Sequence, residues 1–305
     1  QFDADRLDYI RRDRMMTGTQ HAAIDFRWLV ANLEIGSVQV GVDDQLVGKA
    51  PTFVLGPKAV HAAEAYVVGL FQLYPTVYFH KATRGAERLF EELLTRVVEL
   101  ARNGDLKKTN LPAIHPLIRF ARQPSKVQVA LELDDTVVSG ALALLSTAKD
   151  ARLAKLASCL RDRKLHKCFD IRAHVAHALD RKSESTKEQV NEIDRCCANI
   201  ERKIEEWLSA SENEHRILLD RDKRTPYKSI GQSKGPLDRI NIFTDGRVLV
   251  DLKERSKVVA ALTNFQLLRA YIDRDDETAD SKLRQIVDGE IEACRIATPS
   301  KSQAL

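Results

Sequence analysis

The sequence predicts a mainly α protein that ends in a small α+β lobe. Three observations carry this. Apolar residues recur at helical spacing from the first residues to about Ser209. Only 13 glycines and 9 prolines are spread over 305 residues, which leaves little room for a loop-rich architecture. Beyond residue 212 the pattern changes to short β-rich runs around an Asp245-Gly246 turn signal.

Taken in order, Asp5 to Met15 reads as a helix, and Ile24 to Asn32 as a second that opens at Asp25 and carries Phe26, Leu29 and Val30. Ile35, Val38, Val40 and Val42 then alternate roughly by two, and Leu46-Val47 follows an Asp43-Asp44 turn, which predicts a short hairpin. Pro57 sits where a helix starts, and Pro75 should end or kink that helix after Tyr74. From Thr76 a long helix is expected, with Leu89, Phe90, Leu93, Leu94, Val97 and Val98 on one face and a C-cap at Asn103-Gly104. Leu111 to Arg122 should be helical in part, interrupted by Pro112 and Pro116. Asp134 to Ser146, Asp150 to Arg163 and Lys187 to Ser209 follow as amphipathic helices, the last with Val190, Ile193, Cys197, Ile200, Ile204 and Leu208 as its buried stripe. Arg216 to Asp220, Ile240 to Thr244, Val248 to Val250 and Leu267 to Ile272 read as strands. Leu252 to Leu262 and Thr278 to Arg295 read as helices, and Ala297 to Leu305 as a polar tail expected to be disordered.

Composition excludes some classes. A net charge of +4 with both signs interspersed does not imply nucleic acid, although a local basic groove is compatible with it. The five cysteines include one adjacent pair and no C-x-x-C, so they form neither a disulfide framework nor a zinc knuckle, and a reduced, cytoplasmic setting is expected. No apolar run approaches the roughly 18 residues needed to span a membrane.

The first eighteen residues carry the most chemistry. Asp5, Tyr9 and Asp13 stand at i, i+4 and i+8, flanked by Arg6, within Asp3-Ala4-Asp5-Arg6-Leu7-Asp8-Tyr9-Ile10-Arg11-Arg12-Asp13 and a following Thr17-Gly18. Carboxylates, a phenol and a cation on one wall suit a metal-bound polyphosphate with a sugar beside it. Asp8 and Arg12, also at i, i+4, are placed for a surface ion pair.

This stretch resembles the last motif of HD-domain phosphohydrolases, in the branch that holds dGTP triphosphohydrolases and the SAM-and-HD-domain dNTPase, where it reads D-V-D-[RK]-x-D-Y-x-x-R-D. Val77-Tyr78-Phe79-His80-Lys81, followed by Arg84 and Glu87, is similar to the V-Y-x-H-K of the same branch. Leu133-Asp134-Asp135, Leu160, Arg163 and Leu165-His166-Lys167 look like a pattern of bacterial relatives, and Pro226-Tyr227-Lys228 with Arg239 to Phe243 like their C-terminal lobe. The resemblance spans about Phe2 to Asp273. It implies the C-terminal half of an HD-type helical domain over 1–102, a helical extension over 103–211, a small α+β lobe over 212–296 and the tail over 297–305.

By the resemblance, Asp5 is the last ligand of a divalent metal (manganese, magnesium or iron). Arg6 meets a nucleotide phosphate, Tyr9 and Asp13 line the sugar with Asp13 accepting from a 3′-hydroxyl, and Tyr78 stands near sugar and base. Lys81 matches a lysine facing a regulatory nucleotide at a subunit interface, which Lys58 is placed to join. Plainer roles stand beside these: a helix N-terminal carboxylate for Asp5, a solvated cation for Arg6, a core phenol for Tyr9, surface lysines for Lys58 and Lys81. The family's metal site also needs two histidines and an aspartate in the order H…HD. No His is followed by Asp in this chain, so those ligands are expected upstream of Gln1. Leu70 stands near the position of a phosphate-clamping arginine. His174 and His177, at i, i+3 with Asp180 next in line, are read as structural.

The expected function is therefore metal-dependent hydrolysis of a nucleotide, with a dNTP as substrate and tripolyphosphate released, by a homo-oligomer without a membrane association. The alternative is a non-catalytic nucleotide- or nucleic-acid-binding or oligomerisation module of the same family.

Overall fold

The computed structural model describes residues 2–42, 45–180, 186–225, 227 and 239–297, with 39–42 and 45–47 described by backbone alone. The expected Asp43-Asp44 turn, Pro226 and Lys228, and residues 298–305 of the tail lie outside these. Helix takes 59% of the chain and strand 15%, so the mainly helical expectation holds.

Helix α1 (Ala4–Thr17) is capped by Asp3, whose Oδ1 accepts from the Arg6 N–H at 2.8 Å, and ends at Gly18 with φ +69°. Ile10 is its one fully buried residue, so the helix is held mostly by polar and aromatic contacts rather than an apolar stripe. Asp25 caps α2 (Phe26–Ala31), which buries Leu29 and leaves Val30 exposed. Strands β1 (Leu33–Val42) and β2 (Gln45–Leu55) form an antiparallel hairpin much longer than expected, because pairing runs through Pro51 to Leu33↔Leu55. After a 3₁₀ turn at Pro57–Ala59, α3 (Val60–Leu73) buries Tyr66, Val67, Leu70 and Leu73. Pro75 then acts as expected. Its missing N–H and its ring are absorbed by a π turn at Tyr74–Tyr78, closed by Phe79 N–H to Tyr74 O at 2.7 Å.

That turn corrects one expectation. The long helix α4 (Lys81–Arg102) starts after the break, so Tyr78 lies in the π turn and not on α4. Leu89, Leu93, Val97 and Leu100 are buried on α4, whereas Phe90, one residue off that stripe, is exposed. Gly104 follows it with φ +83°. Short helices α5 (Pro116–Arg122) and α6 (Val127–Ala130) precede α7 (Asp135–Leu145) and α8 (Ala151–Arg161), capped by Asp134 and Asp150. Strand β3 (Lys167–Asp170) and α9 (Ile171–Ala178) come next, then α10 (Lys187–Leu208), which opens with a Thr186–Gln189 capping box. Strand β4 spans Ile217–Arg224.

Strands β5 (Asn241–Phe243) and β6 (Leu249–Asp251) flank the expected Asp245-Gly246 turn. The helix expected over 252–262 is instead two pieces, α11 (Leu252–Arg255) and α12 (Lys257–Ala261). Buried Ser256 divides them, because its hydroxyl accepts from Val259 N–H at 3.0 Å and starts a new helix there. Strand β7 (Phe265–Ile272) and helix α13 (Glu277–Ala297) finish the described chain. Among the described residues no helix is long and apolar enough to cross a membrane.

The chain divides into two units, each drawing on separate stretches: residues 1–80 with 223–266, and 81–222 with 267–305. These cuts fall at other places than the linear division at 102 and 211. In the first unit β1-β2-β5-β6 form one sheet, β2 and β5 meeting in parallel at Leu55↔Ile242, over a core of Ile10, Leu29, Tyr66, Leu73 and Ile242. The strands after residue 212 therefore do not form a sheet of their own. The second unit carries the sheet β3-β7-β4 and two apolar clusters, one under α4, α5, α7 and α8 and one between α9, α10 and α13.

Within the second unit Asp150 both caps α8, accepting from Leu153 N–H at 2.9 Å, and accepts from Arg96 Nη2 at 2.6 Å. The Arg96 hydrogen bond, working against burial, holds the Asp150 carboxyl below its ordinary range. A carboxyl depressed in the folded state stabilises above the ordinary carboxylate range, and loses that contribution as pH falls through its lower folded value. Asp150→Asn keeps the cap and removes the charge. It should cost about 1–2 kcal/mol near neutral pH and flatten the acid limb of stability, read from urea midpoints across the acid range.

Candidate functional site

The residues singled out on α1 meet a cluster of aromatic side chains in the first unit. Tyr78 Oη donates to Asp13 Oδ2 at 2.6 Å. Tyr9 stands edge-on to Tyr78 at 6.3 Å between ring centroids, and Tyr74 edge-on to Tyr78 at 5.4 Å. The π turn makes this possible, since it presents Tyr74 and Tyr78 side by side at the end of α3. Phe2 packs edge-on to Tyr66 at 5.5 Å, and the Arg224 guanidinium lies over Tyr74 at 5.8 Å. Thus Tyr9, Asp13 and Tyr78 come together as expected. Sequence reasoning missed Tyr66 and Tyr74. The signal that could have found them is the run of phenols Tyr66, Tyr74 and Tyr78 around the Pro75 break.

Arg6 reaches the same wall. It pairs through Nη1 with Asp3 Oδ2 and lies close enough to Tyr9, Tyr66 and Tyr74 for their phenols to act on its charge. Burial works against its charge, but Asp3 and these phenols outweigh that and raise its pKa. Burial, together with the hydrogen bond and negative charge of Asp13, pushes the Tyr78 phenol well above its ordinary value. Burial does the same for Tyr66, and for Tyr9, where Tyr74 adds to it.

Asp5 does not join this wall. It is solvent-exposed, and the cause is helical geometry: a step of four residues overshoots a turn by about 40°, so Asp5 is rotated about 80° from Asp13. Among the described residues no three His, Cys, Asp or Glu side chains cluster as metal ligands. Asp5 alone does not fit a divalent ion, so this chain's described residues do not by themselves build the metal site that the resemblance implies. Leu70 is buried in the core of the first unit, an apolar residue where a phosphate-clamping arginine was sought. Lys58, in the first unit, is exposed and its carbonyl accepts from Trp28 Nε1 at 3.0 Å. Lys81, the first residue of α4, is exposed in the second unit. Asp8 and Arg12 form the expected exposed ion pair. His174 and His177 are exposed on α9, and His174 Nε2 lies 3.8 Å from Asp288, consistent with a structural reading.

Residues 44–272 match the family described as the HD-associated region, which is three quarters of the chain. The chain belongs to that family. It is similar to the uncharacterised protein YwfO of Bacillus subtilis, 34% identical over 104 residues, which is 34% of this chain and 21% of that one. It is also similar to the uncharacterised protein MJ1154 of Methanocaldococcus jannaschii, 28% identical over 109 residues and again 21% of its length. The match thus spans about a fifth of these curated relatives. Its fold is similar to that of a phosphohydrolase from Bacteroides thetaiotaomicron, with a TM-score of 0.60 and 21% identity over 89% of this chain and 61% of the other. A hypothetical protein from Aquifex aeolicus gives a TM-score of 0.53 at 18% identity, over 93% of this chain and 57% of that one. At these identities the likeness is one of fold.

The phenols offer a direct check. A phenol whose pKa is raised on folding stabilises below its unfolded value, and that contribution is lost as pH rises toward the folded one. Alkaline titration followed by phenolate absorbance should show Tyr9, Tyr66 and Tyr78 silent near the free-tyrosine value of about 10. Tyr78→Phe should remove one late-titrating phenolate and leave any early absorbance unchanged. An early loss in that variant would mean Tyr78 is solvated.

Proposed function

We propose that this chain is the HD-associated portion of a metal-dependent phosphohydrolase that acts on nucleotides, with a deoxynucleoside triphosphate as substrate and tripolyphosphate as product. Membership of the HD-associated region family and the phosphohydrolase-like fold support the broad class. The observation that carries the finer reading is the Tyr78–Asp13 hydrogen bond beneath the edge of Tyr9, with Arg6 on the same wall. Tyr78 fixes the Asp13 carboxylate, which can accept a sugar hydroxyl as a second donor. The ring edges of Tyr9 and Tyr74 give the sugar an apolar flank. Arg6 supplies a planar fork for phosphate oxygens once it exchanges Asp3 for the ligand. A divalent manganese, magnesium or iron ion belongs to this reading, with Asp5 as one of its ligands and the others from outside these 305 residues. The homo-oligomeric state and a regulatory nucleotide held by Lys81 are part of the same proposal.

The test is substrate discrimination by the full-length protein with a divalent metal present. It should hydrolyse deoxynucleotides and discriminate against 3′-deoxy analogues. Asp13→Asn should lower kcat/KM for the deoxynucleotide by about ten- to a hundred-fold and shrink that discrimination, because a hydrogen bond to a charged group is worth about 1.5–3 kcal/mol. Asp5→Ala should abolish turnover while leaving nucleotide binding measurable. Full activity in Asp5→Ala would remove Asp5 from the metal site.

A second reading is favoured by Leu70. With an apolar core residue there, the described wall offers the triphosphate fewer cations than the clamp of the resembling enzymes. A non-catalytic module would bind nucleotide or single-stranded nucleic acid with no metal-stimulated hydrolysis in the full-length protein.

A further inference from the structure

The outer side of α2 carries a band of cations and aromatic rings that the nucleotide wall does not use. It starts on α1, where the exposed Arg11 sets its guanidinium over the Phe26 ring at 5.0 Å. Each residue turns a helix by about 100°, so Arg11 lies about 200° around α1 from both Tyr9 and Asp13 and leaves on the side away from the wall. On α2, Phe26, Arg27 and Trp28 follow one another around the helix, while Leu29 turns into the core. Arg27 is exposed, and Trp28 keeps 45% of its surface open. The indole is held by its edge: Nε1–H donates to Lys58 O at 3.0 Å, a bond in the ring plane that occupies neither face and brings Lys58, itself exposed, next to the ring. Charge sets this band apart from the rest of α1. Arg6 and Arg12 are ion-paired to Asp3 and Asp8. Arg11, Arg27 and Lys58 have no carboxylate partner among the described residues. Asp25, the carboxylate at the start of α2, is committed to the Trp28 N–H at 3.0 Å as the helix cap.

We propose that this band binds single-stranded nucleic acid. Three cations without carboxylate partners complement a phosphate backbone and release its counterions on binding. Trp28 offers a stacking face to an unpaired base, and the Arg27 guanidinium offers a second planar surface beside it. The alternation of cation and ring is what selects this partner. An anionic lipid surface is met by cations alone, and the bases of a duplex are already stacked on one another. Stacking and phosphate contacts read no base edge, so the binding is tolerant of sequence. The band lies on the other side of α1 from the nucleotide wall and works whether or not that wall hydrolyses its ligand.

The experiment titrates the full-length protein into a fluorescein-labelled oligothymidylate of about ten nucleotides and follows anisotropy over a series of salt concentrations. The logarithm of affinity should fall against that of salt with a slope of about −2, as expected for three phosphate contacts on a single strand. Arg11→Gln and Arg27→Gln, both at exposed positions, should each reduce the steepness of that slope by about 0.7. Trp28→Ala should weaken binding by about tenfold or more, whereas Trp28→Phe, which keeps a ring, should retain most of it. Tyr78→Phe, in the nucleotide wall, should leave the affinity unchanged. The proposal is overturned by an absence of binding at low salt, by equal affinity for a duplex of the same length, or by an affinity and slope that none of the Arg11, Arg27 and Trp28 variants moves. A loss in Tyr78→Phe equal to theirs would place the strand on the wall instead. Binding to phosphatidylserine vesicles but not to the oligonucleotide, lost in Arg27→Gln, would assign the band to a lipid surface and overturn it as well.

Discussion

The architecture of the candidate site depends on one backbone constraint, the inability of Pro75 to continue α3. Proline has no N–H to give the preceding turn, and its ring collides with the carbonyl a turn back. The chain responds by widening to a π turn, and Phe79 N–H closes it on Tyr74 O. Such a turn holds one extra residue, which re-aims every side chain in it. Tyr74 then stands edge-on to Tyr78, and Tyr78 is delivered to Asp13, sixty-five positions earlier in the chain. Phe79 turns the other way, into the core, and stacks on Phe265 at 5.4 Å. A straight helix through this point would carry the Tyr78 hydroxyl away from α1.

Much of this was legible in the residues themselves. Asp25, Asp134 and Asp150 start helices where a short carboxylate precedes an apolar stripe, and each accepts the backbone N–H that a cap must satisfy. Pro75 marked its own break. What periodicity could not supply was non-local. Strand β2 runs to Leu55 because β1 is beside it, and a three-residue strand such as β5 exists because β2 and β6 flank it. The split at Ser256 turns on a hydroxyl that competes with the helix, which a count of apolar positions does not register. Of Asp5, Tyr9 and Asp13, spaced i, i+4 and i+8, the last two meet Tyr78 and the first is exposed. Two steps of four accumulate enough rotation to carry one end of the row into solvent.

The two-unit organisation is likewise invisible to a linear reading. The chain leaves the first unit at residue 80, builds most of the second, returns at 223 to supply β5, β6, α11 and α12, and leaves again at 266. Charge burial reinforces the second unit from within. Asp220, fully buried on β4, accepts from Arg84 Nε at 3.0 Å and from Arg84 Nη2, tying α4 to the strand sheet. Buried pairs of this kind add little net stability over an apolar replacement. Losing one partner leaves a charge without compensation, so they penalise alternative packings of α4 heavily.

The polarity of α1 links these points to function. A helix that buries only Ile10 fully gains little from the hydrophobic effect and must be positioned by its side-chain contacts. Those contacts are the ones the proposed nucleotide would use: Asp13 with Tyr78, Tyr9 edge-on to Tyr78, and Arg6 with Asp3. Ligand and fold then draw on the same groups. A sugar hydroxyl can add to Asp13 without displacing Tyr78, because a carboxylate has acceptor sites to spare. A phosphate has to take Arg6 from Asp3, whose second oxygen still caps the helix through the Arg6 N–H. The cap thus survives the exchange, and the cost of binding is confined to one exposed ion pair, which is worth little in water.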